Sequence, residues 1–248
     1  MALITTEAIA LRSLRWGEAD RIVTFFSYKL GKVRGIARGA RTMKSRFGGA
    51  LEPFTYVNLV LFDKRNNSLA SINTIDIIES RASLREDLER MMAAARMVSL
   101  VDGIAAERDP GPELFYILRD GLQALIESED HSLTALIFQI HVLIYSGFCP
   151  QIDHCASCGN FFGSMMPRFS PSAGGLLCQV CDQASWDHCL MMSSGSVAFV
   201  QQARRLTFKL ALRLKAAGQV RRELEDVIDT YARSVVGRRL PAIDLLAT

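Results

Sequence analysis

Cys155-Ala156-Ser157-Cys158 and Cys178-Gln179-Val180-Cys181 form two C-x2-C pairs separated by nineteen residues. A C-x2-C turn can place two thiolates on one ion, and two such turns supply the four sulfurs that tetrahedral Zn²⁺ prefers. Four protein ligands leave no position for water or substrate, so the spacing predicts a structural site. Gly159 after the first pair, and Gly174 and Gly175 before the second, would let backbone wrap close to the metal. A thioredoxin-like redox pair would need one C-x-x-C beside a βαβ unit, and the pattern here has two pairs and no such unit. Four unmetallated thiols are the alternative left open. Cys149, Cys189, His154 and His188 lie near enough in sequence to substitute and are read as bystanders.

The second chemistry-bearing feature is charge. Residues 1–50 carry ten basic side chains against three acidic ones, a net +7, while residues 51–200 net −9 and residues 201–248 net +5. A basic front segment on an acidic body suggests a polyanionic partner, or simply a solvated basic surface. The candidate cations are Lys32, Arg34, Arg38, Arg41, Lys44 and Arg46. Lys32, Arg34 and Arg38 share strand parity and should face one way. Trp16, Phe47, Phe54 and Tyr56 are candidate stacking groups; Phe47, set among charges and glycines, is the preferred one, and Phe54 and Tyr56 read better as core. A second basic set is Arg204, Arg205, Lys209, Arg213, Lys215, Arg221 and Arg222. If 196–216 is one helix, Arg205, Lys209 and Arg213 lie on one face. That face would be solvated, or would dock DNA or an acidic peptide.

The elements that must hold these groups follow from periodicity. Residues 6–14, which alternate, and 21–26, 32–38, 56–62 and 69–78 read as five short strands, with a turn at 63–67. Five strands in about 80 residues suit a small Greek-key barrel of the OB type. Gly39 to Pro53 is expected as a long basic loop. From Ser83, read as a helix cap with Glu86 completing a capping box, the period becomes helical. Helices are expected at 113–127, 133–145, 196–216 and 220–236, the last two turning at Gly218. His141, inside an apolar helix, reads as a core or boundary residue. The fold class is α+β and multidomain. Residues 1–80 are expected to form an OB-fold barrel, and 81–248 an all-α domain with a four-cysteine zinc site inserted at about 149–185.

No apolar run approaches the ~20 residues of a membrane span. The N-terminus has no basic n-region or long apolar h-region, so a cytoplasmic protein is expected. No G-x-x-x-x-G-K-[ST] or G-x-S-x-G motif is present, and the four histidines are scattered, so no catalytic residue is assigned.

Four stretches, in order along the chain, resemble the RecO family of recombination mediators. They are Gly39–Phe54 (GARTMKSRFGGALEPF), Glu113-Leu114-Phe115 opening a leucine-bearing helix, Gly147–Gly159 (GFCPQIDHCASCG), and Phe169–Cys181 (FSPSAGGLLCQVC). Arg38 stands where the family often has Lys, and Ser99 and Gln139 where its helices often carry Glu. The resemblance implies a non-enzymatic DNA repair protein with one structural Zn²⁺. It implies binding to single-stranded and double-stranded DNA, strand annealing, and loading of recombinase onto SSB-coated DNA. The partners implied are DNA, the acidic C-terminal tail of SSB, with Arg204, Arg205, Lys209 and Arg213 as its candidate contacts, and RecR. The implied location is the bacterial cytoplasm, with the nucleoid. An OB-plus-zinc RNA-binding or transcription-associated module is the alternative.

Overall fold

The computed structural model describes residues 2–63, 69–162, 167–185 and 188–237; the expected turn at 63–67 falls largely outside them. The first strands are β1 (Ala2–Trp16), β2 (Asp20–Ser27), β3 (Gly31–Ala37), β4 (Tyr56–Asp63) and β5 (Ala70–Glu79). They close into a barrel in the order β1-β2-β3-β5-β4. β1 is long enough to pair with β4 through its first half and with β2 through its second, with a bulge between Ala10 and Arg12. A bulge lets one strand bend and serve two partners. Alternation then sends Ala8, Ala10, Val23, Phe25, Val33, Val57, Leu59, Leu61 and Ile72 inward as one apolar core.

Closure depends on the parallel contact of β3 with β5, made at Gly35↔Ala70 and Ile36↔Ser71. A Cβ at Gly35 would lie 2.8 Å from the Ile72 side chain, so only glycine allows that approach. The expected loop Gly39–Pro53 is not loop throughout. A 3-10 turn at Gly48–Leu51 plugs the barrel, burying Ala50 and Leu51 with Phe47. The glycine-rich, basic composition hid this plug, because three apolar residues in a polar stretch carry no periodicity.

The helices are α1 (Ser83–Glu86), α2 (Leu88–Ile104), α3 (Pro112–Glu127) and α4 (His131–Tyr145). Ser83 caps nothing: Ala82 precedes α1 in helical conformation, and α1 stops after one turn. Asp87 takes extended angles and its carboxylate accepts from the Arg90 N–H, starting α2 afresh. An Asp so placed satisfies a donor that a Ser four residues earlier cannot reach. Pro112 opens α3, where its missing N–H costs nothing. Asp130 caps α4 through the Leu133 N–H.

By its contacts the chain forms two compact units, one running from the barrel to Glu129 and one from Asp130. The change from strand to helix falls earlier, between Glu79 and Ser83. In the second unit, strands β6 (Arg168–Ser170), β7 (Gly175–Leu177) and β8 (Leu190–Met191) form a small antiparallel sheet in the order β7-β6-β8. Helix α5 (Gln179–Gln183) follows β7, and α6 (Ser194–Arg205), α7 (Phe208–Ala211) and α8 (Gly218–Val236) end the fold. Here the expectation of one helix over 196–216 fails. Leu206 and Thr207 adopt extended angles, and the broken chain turns Phe208 edge-on to Phe138 and His141 of α4. Burying that ring outweighs continuing the helix. His141 itself is 2% exposed, and burial pushes its imidazole down to about 4, so it is a neutral core residue near pH 7.

Glu223 of α8 ties down the start of α6. Its carboxylate accepts from the Ser193 N–H at 2.8 Å and from the hydroxyls of Ser193 and Ser196, both at 2.6 Å. Burial works to raise this carboxyl, but these donors outweigh it and hold it near 2. A folded-state value below the unfolded one means stabilisation that is complete above the unfolded pKa and lost as pH falls toward 2. Thermal melts of Glu223→Gln should therefore lie below wild type at neutral pH. The two curves should converge between about pH 4.5 and 2. A constant gap across that window would assign the wild-type contribution to packing instead.

Candidate metal centre and nucleic-acid interface

The four cysteines of the two C-x2-C pairs converge. The sulfurs of Cys155, Cys158, Cys178 and Cys181 all lie within 4.8 Å of one another, and Cys158 and Cys178 are 3.8 Å apart. The first pair sits on a tight turn closed by the Cys155 N–H to Asn160 and the Gly159 N–H to Cys155, both 2.9 Å. β7 delivers Cys178 to the N-terminus of α5, whose first turn carries Cys181. The turn and β7 are joined by the Ala156 N–H to the Leu176 carbonyl at 2.8 Å. Gly175 is required there, since a Cβ would come within 2.4 Å of the Gln151 carbonyl.

The donor set itself calls for a cation. Burial works to raise Cys155, but the N–H groups of Cys158, Cys178 and Ser157 outweigh it and bring that thiol down to about 6. Ser157 works to lower Cys181, yet the thiols of Cys158 and Cys178 push it up to about 12. One thiolate is favoured, but a full set is not without a positive charge at the centre. Four clustered thiolates are a donor set for zinc, and all four positions are protein-supplied. Of the remaining candidates, Cys189 is buried beside Leu177 and Cys155, Cys149 is exposed, and the His154 ring meets Gln151 at 3.1 Å. None of them joins the four-sulfur cluster.

The basic segment is built onto the tip of the β1–β2 hairpin. The Arg41 N–H donates to Ala19 and its guanidinium to Gly17, at 2.9 and 3.0 Å, and the Gly39 N–H donates to the Asp20 carboxylate at 2.8 Å. Arg38, Arg41, Lys44 and Arg46 are all exposed on this pinned loop. Beside it, at the end of β1, Trp16 is 56% exposed. Phe47, the ring expected to stack on a base, is 3% exposed and belongs to the barrel core; only its partner Arg46, over the ring at 5.1 Å, faces outward. The reason is the plug, which needs an apolar anchor where the loop turns back. Phe54 and Tyr56 are buried, as the sequence favoured, but neither belongs to the inner cluster of the barrel: Tyr56 lies on the opposite face of β4 from Val57 and Leu59 and packs against Phe115 of α3. Trp16 is thus the exposed ring among the four candidates.

Lys32 and Arg34 do point outward from β3, because their odd-numbered neighbours line the core. Arg38 lies past the end of the strand. Lys32 is largely spent: its ammonium donates to the Asp102 carbonyl at 2.6 Å and lies 3.6 Å from the Asp102 carboxylate, with 14% of the side chain exposed. Arg12 was not singled out by sequence, although it shares a strand face with Leu14 and Trp16. Register aligns it across β2 with Arg34, through Arg12↔Thr24 and Thr24↔Arg34.

The C-terminal cations do not share a helix face. Arg204 and Arg205 end α6, Lys209 is on α7, and Arg213 follows α7. Arg204 is paired with Asp153 at 2.8 Å, while Arg205, Lys209 and Arg213 are exposed. Among the described residues, no helix is long and apolar enough to cross a membrane.

Residues 1–81 match the family described as "Recombination protein O N terminal", and residues 85–242 the one described as "Recombination protein O C terminal". The "DNA repair protein RecO" of Rubrobacter xylanophilus is 32% identical over 249 residues, spanning 100% of this chain and 96% of that protein. The protein of the same name from Myxococcus xanthus is 31% identical over 97% of this chain and 96% of its own length. That from Syntrophus aciditrophicus is 29% identical over 97% and 94%.

Proposed function

The chain belongs to the RecO family of DNA repair proteins, and on that premise we propose that it binds single-stranded DNA through its barrel, anneals complementary strands, and helps load recombinase onto SSB-coated DNA. The observation that carries this reading is the loop Arg38–Arg46, whose four exposed cations are pinned beside the exposed Trp16 at one end of the barrel. Cations neutralise successive phosphates and a ring supplies a sequence-tolerant platform for a base. Double-stranded DNA would meet the same cations without the stacking. None of these steps makes or breaks a covalent bond, so the protein acts as a mediator and not as an enzyme.

On this reading Cys155, Cys158, Cys178 and Cys181 hold one structural Zn²⁺ per chain, which fixes the module between α4 and α6. Arg205, Lys209 and Arg213 are the exposed cations that would meet an acidic peptide such as the SSB tail, with exposed Leu210 between them as an apolar neighbour. Arg204 would first have to leave Asp153. RecR is the further protein partner, and the work is placed in the cytoplasm at the nucleoid.

The test is annealing of two complementary, SSB-coated strands followed by fluorescence transfer. Addition of the protein should raise the annealing rate, and excess unrelated single-stranded DNA should compete. Competition by matched RNA at equal strength, with no annealing of coated DNA, would favour an RNA-binding module.

A further inference from the structure

We propose that the outer face of β1–β2–β3 is a second track for the phosphates of single-stranded DNA, and that Asp102 and Glu107 hold it closed. This rests on the DNA-binding reading above and extends it to residues outside the loop.

Register defines the face. After the bulge in β1, Arg12, Leu14 and Trp16 point outward, and they stand in rows with Thr24, Ile22 and Asp20 of β2. β3 continues the first two rows with Arg34 and Ile36. One row is therefore cationic at both ends, the next is apolar, and the third opens on Trp16 beside the basic loop. Arg12 and Arg34 are two strands apart, about 10 Å, so each would take its own phosphate. Their side chains are 44% and 42% exposed, accessible to a ligand.

Each arginine already has a carboxylate at its side. Arg12 lies 3.9 Å from Asp102 near the end of α2, and Arg34 lies 3.8 Å from Glu107 in the α2–α3 connection. That connection is fixed against β3: the Arg108 N–H donates to the Lys32 carbonyl at 2.9 Å, and Glu107 bridges Lys32. The acids are thus held where phosphates would sit. Both pairs are near the 4 Å limit and both arginines are more than two-fifths exposed, although Asp102 is itself 13% exposed and shared with Lys32. Ion pairs that long, reached by solvent from the arginine side, compete with a polyanion without excluding it. The consequence is a graded one. The loop and Trp16 engage DNA first, and the row Arg12–Thr24–Arg34 contributes only when its acids are displaced.

The experiment is single-stranded DNA binding by the full chain across a salt series. Asp102→Asn with Glu107→Gln should bind about tenfold more tightly at low salt. Its log K against log salt should steepen by about 0.7 for each phosphate gained. Adding Arg12→Ala, Lys32→Ala and Arg34→Ala should cancel that gain, Lys32 being included because Asp102→Asn also frees its ammonium. Removing two acids away from the face, by Glu86→Gln with Glu127→Gln, should change affinity by less than half as much. An unchanged slope in the Asp102→Asn, Glu107→Gln protein, an equal gain in the control, or a gain that survives loss of Arg12, Lys32 and Arg34 would overturn the proposal. In each of those cases wild-type binding would still stand, whereas absence of wild-type binding would remove the DNA-binding reading itself. Thermal melts of every variant verify that the barrel is intact.

Discussion

Replacing Cys158 by Ser is expected to release the metal and unfold the module that the two C-x2-C turns close. Cys158 shares its turn with Cys155 and lies 3.8 Å from Cys178, so its loss breaks the link between the turn and the β7–α5 segment. What else joins them is a few backbone hydrogen bonds, such as Ala156 to Leu176, and the sheet that carries β7 has strands of only three, three and two residues, too short to persist alone. Structural zinc sites contribute roughly 10–16 kcal/mol of apparent binding energy, and where no preformed apo site exists that energy is folding energy. One lost ligand should therefore cost at least about 3 kcal/mol and take zinc content from one per chain toward zero. Chelation should do the same to the wild-type protein. Cys149→Ser should keep its metal, because Cys149 is exposed and outside the cluster. Full occupancy in a Cys158→Ser, Cys178→Ser protein would refute the assignment. Ligands must be deprotonated to bind, so acid should release the metal.

The metal site was legible in the sequence because its rule is local: two residues three apart, twice, fix two sulfurs per turn whatever the rest of the fold does. The barrel was legible for a similar reason in β3, where period-two alternation is the consequence of a core on one side, and less so in β2, whose second half is buried on both faces. What was not legible depended on contacts distant in sequence. Phe47 reads as a surface ring among Arg46, Gly48 and Gly49, and only closure of the barrel shows that a plug needs it. The break at Leu206-Thr207 is invisible in propensity and is set by Phe208 reaching α4. Ser83 met the pattern of a capping box, but Asp87 offered a better-placed acceptor one turn later. Arg12 was passed over because a bulge changes which residues of β1 share its face. In each case tertiary packing chose between local signals of similar strength.

Two variants at the hairpin end should separate the electrostatic part of DNA binding from the stacking part. Arg41→Ala, Lys44→Ala and Arg46→Ala together remove three exposed cations from one pinned loop. If each neutralises a phosphate, the slope of log K against log salt should flatten by about 2, near 0.7 per contact. Affinity should fall on the order of a hundredfold at low salt and much less at high salt, where counterion release contributes little. Trp16→Ala should behave differently. A base stacked on an indole contributes about 1–3 kcal/mol and carries no charge, so affinity should fall by a similar factor at every salt concentration, with the slope unchanged. Phe47→Ala offers no such reading. Its ring is in the core, so that change should lower the melting temperature of the barrel, and any loss of binding should follow unfolding. Arg41 also fastens the loop to Gly17 and Ala19, so Lys44→Ala with Arg46→Ala serves as the version that leaves this anchor in place. That pair should still flatten the slope by more than 1. A triple variant with the wild-type slope would move the phosphate contacts off the loop. A Trp16→Ala protein that binds as tightly as wild type would leave charge as the sole determinant, and the barrel end would then be an electrostatic track without a stacking platform.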